Sequence, residues 1–135
     1  MKEGWIDDTY VILFEGDDEQ AEITEGYELQ RYLPGYRIQA ISGWDDFIIK
    51  NREGEQYRVP IVPLVQKYLE KQEQAKENRE IEADARFAGR IKWYIKPVIF
   101  GGDPNSEENM TWIDLKTHQE YVKWWNNLYQ DVNRQ

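Results

Sequence analysis

The strongest constraint on this chain is a change of period at Pro34 and Gly35. From Tyr36 onward apolar and polar residues alternate, with Tyr36, Ile38 and Ala40 set against Arg37 and Gln39. A period of two marks a strand with one buried face. Ser42 and Gly43 end that run, Phe47, Ile48 and Ile49 begin another, and Asn51 to Gly54 reverse the chain into Gln56, Tyr57, Arg58 and Val59. Three short strands joined by tight turns predict an antiparallel meander. Pro60 and Pro63 cannot donate to a sheet ladder, so the third strand ends there or runs along an edge.

Upstream, residues 5–14 are rich in aromatic and β-branched side chains and read as one strand, closed by a turn at Glu15, Gly16, Asp17 and Asp18. Ile23, Tyr27, Leu29, Tyr32 and Leu33 then recur at helical spacing until Pro34 and Gly35 stop the helix. Gly26 weakens that helix by about 1 kcal/mol relative to alanine.

Downstream, residues 65–85 interleave acids and bases and hold few apolar side chains after Leu69. They read as an exposed helix or a mobile excursion. Order returns at Phe87, and residues 91–100 read as a strand pair or one long strand, with Pro97 at an edge or bend. A turn-rich loop begins at Gly101, and residues 110–113 form a short strand. Thr117 and Glu120 then match a capping box. Tyr121, Trp124, Trp125, Leu128, Tyr129 and Val132 follow on one helical stripe. The stripe reads as a core anchor rather than an aromatic cofactor box.

These elements define an α+β fold in one domain spanning residues 1–135. An antiparallel-rich mixed sheet packs with an N-terminal helix and a Trp-rich C-terminal helix. Six Trp, nine Tyr and four Phe supply core material and argue against disorder.

Residue counts narrow the chemistry. There is no cysteine, which removes disulfides, thiolate zinc sites and cysteine nucleophiles and makes the cytoplasm the default location. The longest apolar run, residues 10–14, is far too short for a membrane span, and no secretory signal is evident at the start. His118 is the single histidine and reads as a surface imidazole in the first turn of the last helix. Gly101, Gly102, Asp103, Asn109, Trp112 and His118 superficially resemble half of an HNH-type nuclease finger, but one histidine cannot both hold metal and activate water. The pairs Asp7–Asp8 and Asp45–Asp46 would point to opposite faces of a strand, so neither makes a two-carboxylate site. No catalytic residue, metal ligand or cofactor site is expected. An enzyme using acid-only metal ligation is the most distant alternative.

The charge of −9 is confined to the start of the chain. Residues 1–28 hold one base, Lys2, and ten acids, while the rest carries sixteen of each sign. Some of these acids favour the positive end of a helix dipole. The others are either a solvated face or a surface for a basic partner. Net acidity argues against duplex nucleic acid, whose binders depend on Lys and Arg.

Leu33, Pro34, Gly35 and Tyr36, then Gly43, Asp46, Phe47 and Gly54, then Tyr57, Arg58, Val59 and Pro60 resemble the SUKH superfamily. This family includes fungal cell-wall-synthesis regulators and many small bacterial proteins. Val62–Pro63, the strand at 110–113 and the Trp-rich helix fill its later elements. The chain departs from the family pattern in the strand before the first helix, the excursion at 65–85 and the Gly101 loop. The resemblance implies an α+β domain without a shared catalytic centre. It also implies an immunity protein that neutralises a bacterial toxin domain, such as a nuclease, by direct binding. A regulatory or adaptor domain of the same fold is the alternative. The partner-binding candidates are Asp7, Asp8, Glu15, Asp17, Asp18, Glu19 and Glu22 for charge, with Trp44, Asp45 and Asp46 at a meander turn. Trp44 is either an interface anchor or a core residue at a strand end.

Overall fold

A computed structural model describes residues 1–73 and 80–133. The expected meander is present and is longer than the alternation alone indicated. Six strands lie in sequence order and pair antiparallel throughout: β1 (Lys2–Ile6), β2 (Thr9–Leu13), β3 (Arg37–Ser42), β4 (Asp46–Lys50), β5 (Gln56–Pro60) and β6 (Glu70–Gln72). Two helices, α1 (Gly16–Gly26) and α2 (Leu29–Tyr32), connect β2 to β3. A separate ribbon of β7 (Ile91–Tyr94) and β8 (Met110–Ile113) precedes the last helix, α3 (Leu115–Asn133). The α+β class is thus observed.

Three local features differ from the sequence expectations. Residues 5–14 are a hairpin, because Ile6 pairs with Thr9 and leaves Asp7 and Asp8 as a two-residue turn. Asp7 takes φ 53°, a left-handed conformation that aspartate tolerates better than most residues. The helix expected up to Leu33 breaks at Glu28, which also turns left-handed at φ 55°. The strand in residues 91–100 ends at Tyr94, and Val98–Phe100 form a short 3-10 turn beyond Pro97.

Among its described residues, the charged stretch at 65–85 begins with a 3-10 turn at Gln66–Tyr68. Its first part supplies β6, a short polar edge strand on β5. Near its end, Glu82 bridges Trp5 on the outer edge of β1, with N–H to carbonyl distances of 2.8 and 2.9 Å. The stretch therefore leaves one edge of the sheet and returns at the other. Residues 74–79 lie outside the described residues. Gly4 makes the bridge possible, since a Cβ there would overlap the Glu82 carbonyl.

The core lies between the sheet and the helices, where Tyr27, Leu29, Leu33, Ile38, Phe47 and Val122 are essentially inaccessible. The packing of α3 overturns two expectations. Its buried ridge is His118, Val122 and Asn126, at spacings of four, rather than the aromatic stripe. Tyr121, Trp124 and Val132 are exposed, and Trp125, Leu128 and Tyr129 are only half-buried. The reason is polar. Asn126 accepts the Leu64 N–H at 2.8 Å and donates to the Ile61 and Val122 carbonyls at 3.0 Å each. It thereby satisfies the Leu64 N–H and the Ile61 carbonyl of a proline-bounded segment beyond β5, and this fixes which face turns inward. The helix cap also lies earlier than the capping-box pattern indicated. Asp114 accepts the Thr117 N–H at 2.8 Å, and hydrogen bonding from the Thr117 side chain, then its backbone, holds the Asp114 carboxyl below the usual range.

Candidate protein-binding surface

Val11 pairs with Ser42, and the Gly43 N–H donates to the Tyr10 carbonyl at 2.8 Å, so the β1–β2 and β3–β4 turns sit side by side. This brings Asp7, Asp8, Trp44, Asp45 and Asp46 to one end of the sheet. The other five candidates lie elsewhere. Glu15 holds the N-cap position of α1 without a side-chain cap bond, Asp17, Asp18 and Glu19 occupy its first turn, and Glu22 follows. With β2 between them, the two groups stand roughly 20 Å apart at the usual strand rise. The acidic segment that is continuous in sequence is therefore two separate patches.

Several of these acids are engaged within the fold. Asp17 pairs with Arg37 at 3.0 Å, and Glu19 meets the terminal ammonium of Met1 at 2.9 Å. Asp46 pairs with Arg58 at 3.0 Å, across from the start of β3–β4 pairing at Ser42. Among the described residues Asp8, Glu15, Asp18 and Glu22 form no ion pair and remain available to a cation from outside.

Trp44 sits in the β3–β4 turn at φ 62°, a conformation that is rare and strained for a bulky side chain. It stacks on Tyr10 with centroids 5.1 Å apart and meets Trp112 edge-on at 5.2 Å. Trp5 and Phe87 complete this aromatic cluster. Trp44 is thus half-buried: one side packs into the fold and the other lines a cleft of about 320 Å³. Asp45, Lys92, Tyr94 and Pro97 are among the cleft's other walls.

Asp45 opens to solvent at the mouth of this cleft and forms no ion pair among the described residues. The surrounding protein desolvates its carboxylate and raises its pKa, Asp46 adds to the rise, and Lys92 opposes it. An external cation would relieve both unfavourable contributions. The ribbon supplies Lys92 and Tyr94, which sequence reasoning did not connect with this turn. Nothing in their local spacing could have done so, because the ribbon reaches Trp44 only through tertiary packing.

His118 is not a surface imidazole. It is fully buried, with the Tyr27 hydroxyl 2.6 Å from Nδ1 and the Trp93 ring edge-on at 5.2 Å. Burial lowers its pKa to about 3, so the ring is neutral near pH 7. It faces a phenol, and no carboxylate is within hydrogen-bonding distance among the described residues. Nor do three or more His, Asp or Glu side chains converge on a metal position among the described residues. No helix there is long and apolar enough to cross a membrane.

A scan against protein-family models finds no match, and searches of curated proteins and of solved structures find none either.

Proposed function

We propose that this chain is an immunity protein that binds and neutralises a basic bacterial toxin domain in the cytoplasm. The observation that carries this reading is the Asp45 carboxylate beside the Trp44 cleft, without an ion pair among the described residues and next to the acidic turn at Asp7 and Asp8. Opposed charge steers a basic partner toward such a surface and sets its orientation, and the adjacent aromatic side chain supplies a desolvated anchor. The SUKH resemblance, over most of residues 19–130 in order of elements, supports the toxin assignment. The same acidity disfavours nucleic acid as the partner.

The test is co-expression with a toxin-like protein encoded beside this gene. Protection of growth and a purified one-to-one complex are expected, with weaker association when Asp7, Asp8 and Asp45 are replaced by lysine. Unchanged affinity after that reversal overturns the acidic-surface reading. A stable complex that gives no protection points instead to a regulatory or adaptor domain.

A further inference from the structure

The outer side of α3 forms one wall of a second concavity, which shares Trp93 with the Trp44 cleft. Lys92 and Tyr94 line the cleft only, while Trp93 also packs edge-on against His118 of α3. Ile95 and Thr111 from the ribbon meet Tyr121, Trp124 and Trp125 from the helix around an open groove of about 590 Å³. Ile95, Tyr121 and Trp124 are 54%, 44% and 59% exposed. Only one charged side chain lines the groove, Glu120, and it forms no ion pair among the described residues.

Contiguous apolar surface of this kind marks an interaction site, and exposed Trp and Tyr are the side chains that most often dominate binding energy. The charge identifies the occupant. A groove-on-groove contact between two copies would set Glu120 against a lining whose one charge is again Glu120, so that pairing offers no opposite charge. A lysine or arginine entering beside apolar side chains would meet both the carboxylate and the adjacent indole face.

We propose that this groove receives an apolar segment of a protein partner that carries a lysine or arginine beside its apolar side chains, with the basic group seated between Glu120 and Trp124. This rests on the reading of the chain as a protein-binding domain and adds a contact separate from the acidic turns.

Titration calorimetry of the full chain tests it with two amphipathic peptides of about 14 residues, long enough for marginal helix formation. Both share the same leucine positions. One carries lysine at the polar positions and the other glutamate. The lysine peptide is expected to bind, and the glutamate peptide about tenfold more weakly or not at all. Trp124→Ala should weaken the lysine peptide by a similar factor, and Glu120→Lys should reverse the preference. Because both side chains are exposed, circular dichroism should show each variant folded.

Absence of lysine-peptide binding, or binding indifferent to Trp124→Ala and Glu120→Lys, overturns the proposal. If peptide binding disappears only when Asp7, Asp8 and Asp45 are reversed, the groove assignment fails while the acidic surface stands. If sedimentation shows a dimer that Trp124→Ala dissociates, the occupant is a second copy and the proposal is again overturned. Failure of toxin protection with these peptide results intact removes the immunity reading alone.

Discussion

The Tyr27 hydroxyl and the His118 ring join α1's C-terminal end to α3's first turns through one 2.6 Å hydrogen bond, inside a site closed to solvent. With the hydroxyl donating to Nδ1, the neutral ring carries its proton on Nε2, which has no partner among the described residues. The reverse arrangement would leave both the tyrosine proton and the Nε2 lone pair unsatisfied, so the first tautomer is favoured. Tyr27→Phe keeps the packing and removes the donor. It should cost about 1–3 kcal/mol in denaturant unfolding at pH 7, because Nδ1 is then buried without a partner.

The same pair predicts how stability depends on pH. The folded-state pKa of His118 is lowered to about 3, whereas an unfolded histidine titrates near its ordinary value. The contribution of the neutral ring is therefore complete above the unfolded pKa. It is lost progressively as the pH falls toward the folded value, because the unfolded state binds the proton first. The slope from this group approaches about 1.4 kcal/mol per pH unit at most. His118 is the only histidine, so urea unfolding at pH 7 and at pH 5, compared with a His118 variant to cancel the carboxylates, isolates the effect. A His118→Phe variant should show a shallower slope over that interval.

Asn126 holds Leu64 and Ile61 to α3 through one accepted and one donated bond. Asn126→Ala strands a buried N–H and a buried carbonyl together, at about 1–3 kcal/mol for each group. A lower urea midpoint with an unchanged slope is expected. Asn126→Leu should be no better, although it is the more hydrophobic replacement, because it leaves the same backbone groups unpaired.

The two sides of α3 should respond oppositely to truncation. Val122→Ala removes methyl groups from the closed core and should cost about 1–3 kcal/mol. Trp124→Ala removes a far larger side chain but one that is mostly exposed, and should change stability by no more than about 0.5 kcal/mol. Thermal melts of the two variants settle the comparison. A large loss from Trp124→Ala would mean that its ring supports the fold.

Gly4→Ala tests the contact at the outer edge of β1. The added methyl would fall on the Glu82 carbonyl, and relieving that overlap should cost about 1–3 kcal/mol. Hydrogen exchange should quicken at the Trp5 and Glu82 amides, which exchange bonds across the bridge.

Much of the architecture was legible because it is local. The alternation through Ile38 and Ala40, the reversal at Asn51 to Gly54 and the stop at Pro34 each act within a few residues, and β3, β4 and β5 appear where those signals place them. The hairpin at Asp7 was hidden because it uses Asp–Asp instead of a glycine-bearing turn.

The orientation of α3 was misread for a different reason. Hydrophobicity favours burying Trp124, but Asn126 and His118 satisfy groups on Ile61, Leu64 and Tyr27 that lie far away in sequence. A hint was present: Trp124 and Trp125 are neighbours about 100° apart on a helix, so a narrow buried stripe could not hold both. The candidate surface was legible only as residue types. Sequence supplied Trp44, Asp45 and the acids, whereas their division between two ends of the sheet follows from strand pairing.

That pairing also gives the charged stretch a role. A six-stranded sheet ordinarily has two margins at which a foreign strand can add. Here the chain that forms β6 on one margin goes on to place Glu82 against the other. Excising this stretch would uncover hydrogen-bonding groups at both margins at once, and a sheet open on both sides can add neighbours without limit. The short, charged β6 and the Glu82 bridge thus leave a foreign strand less edge to join at either margin.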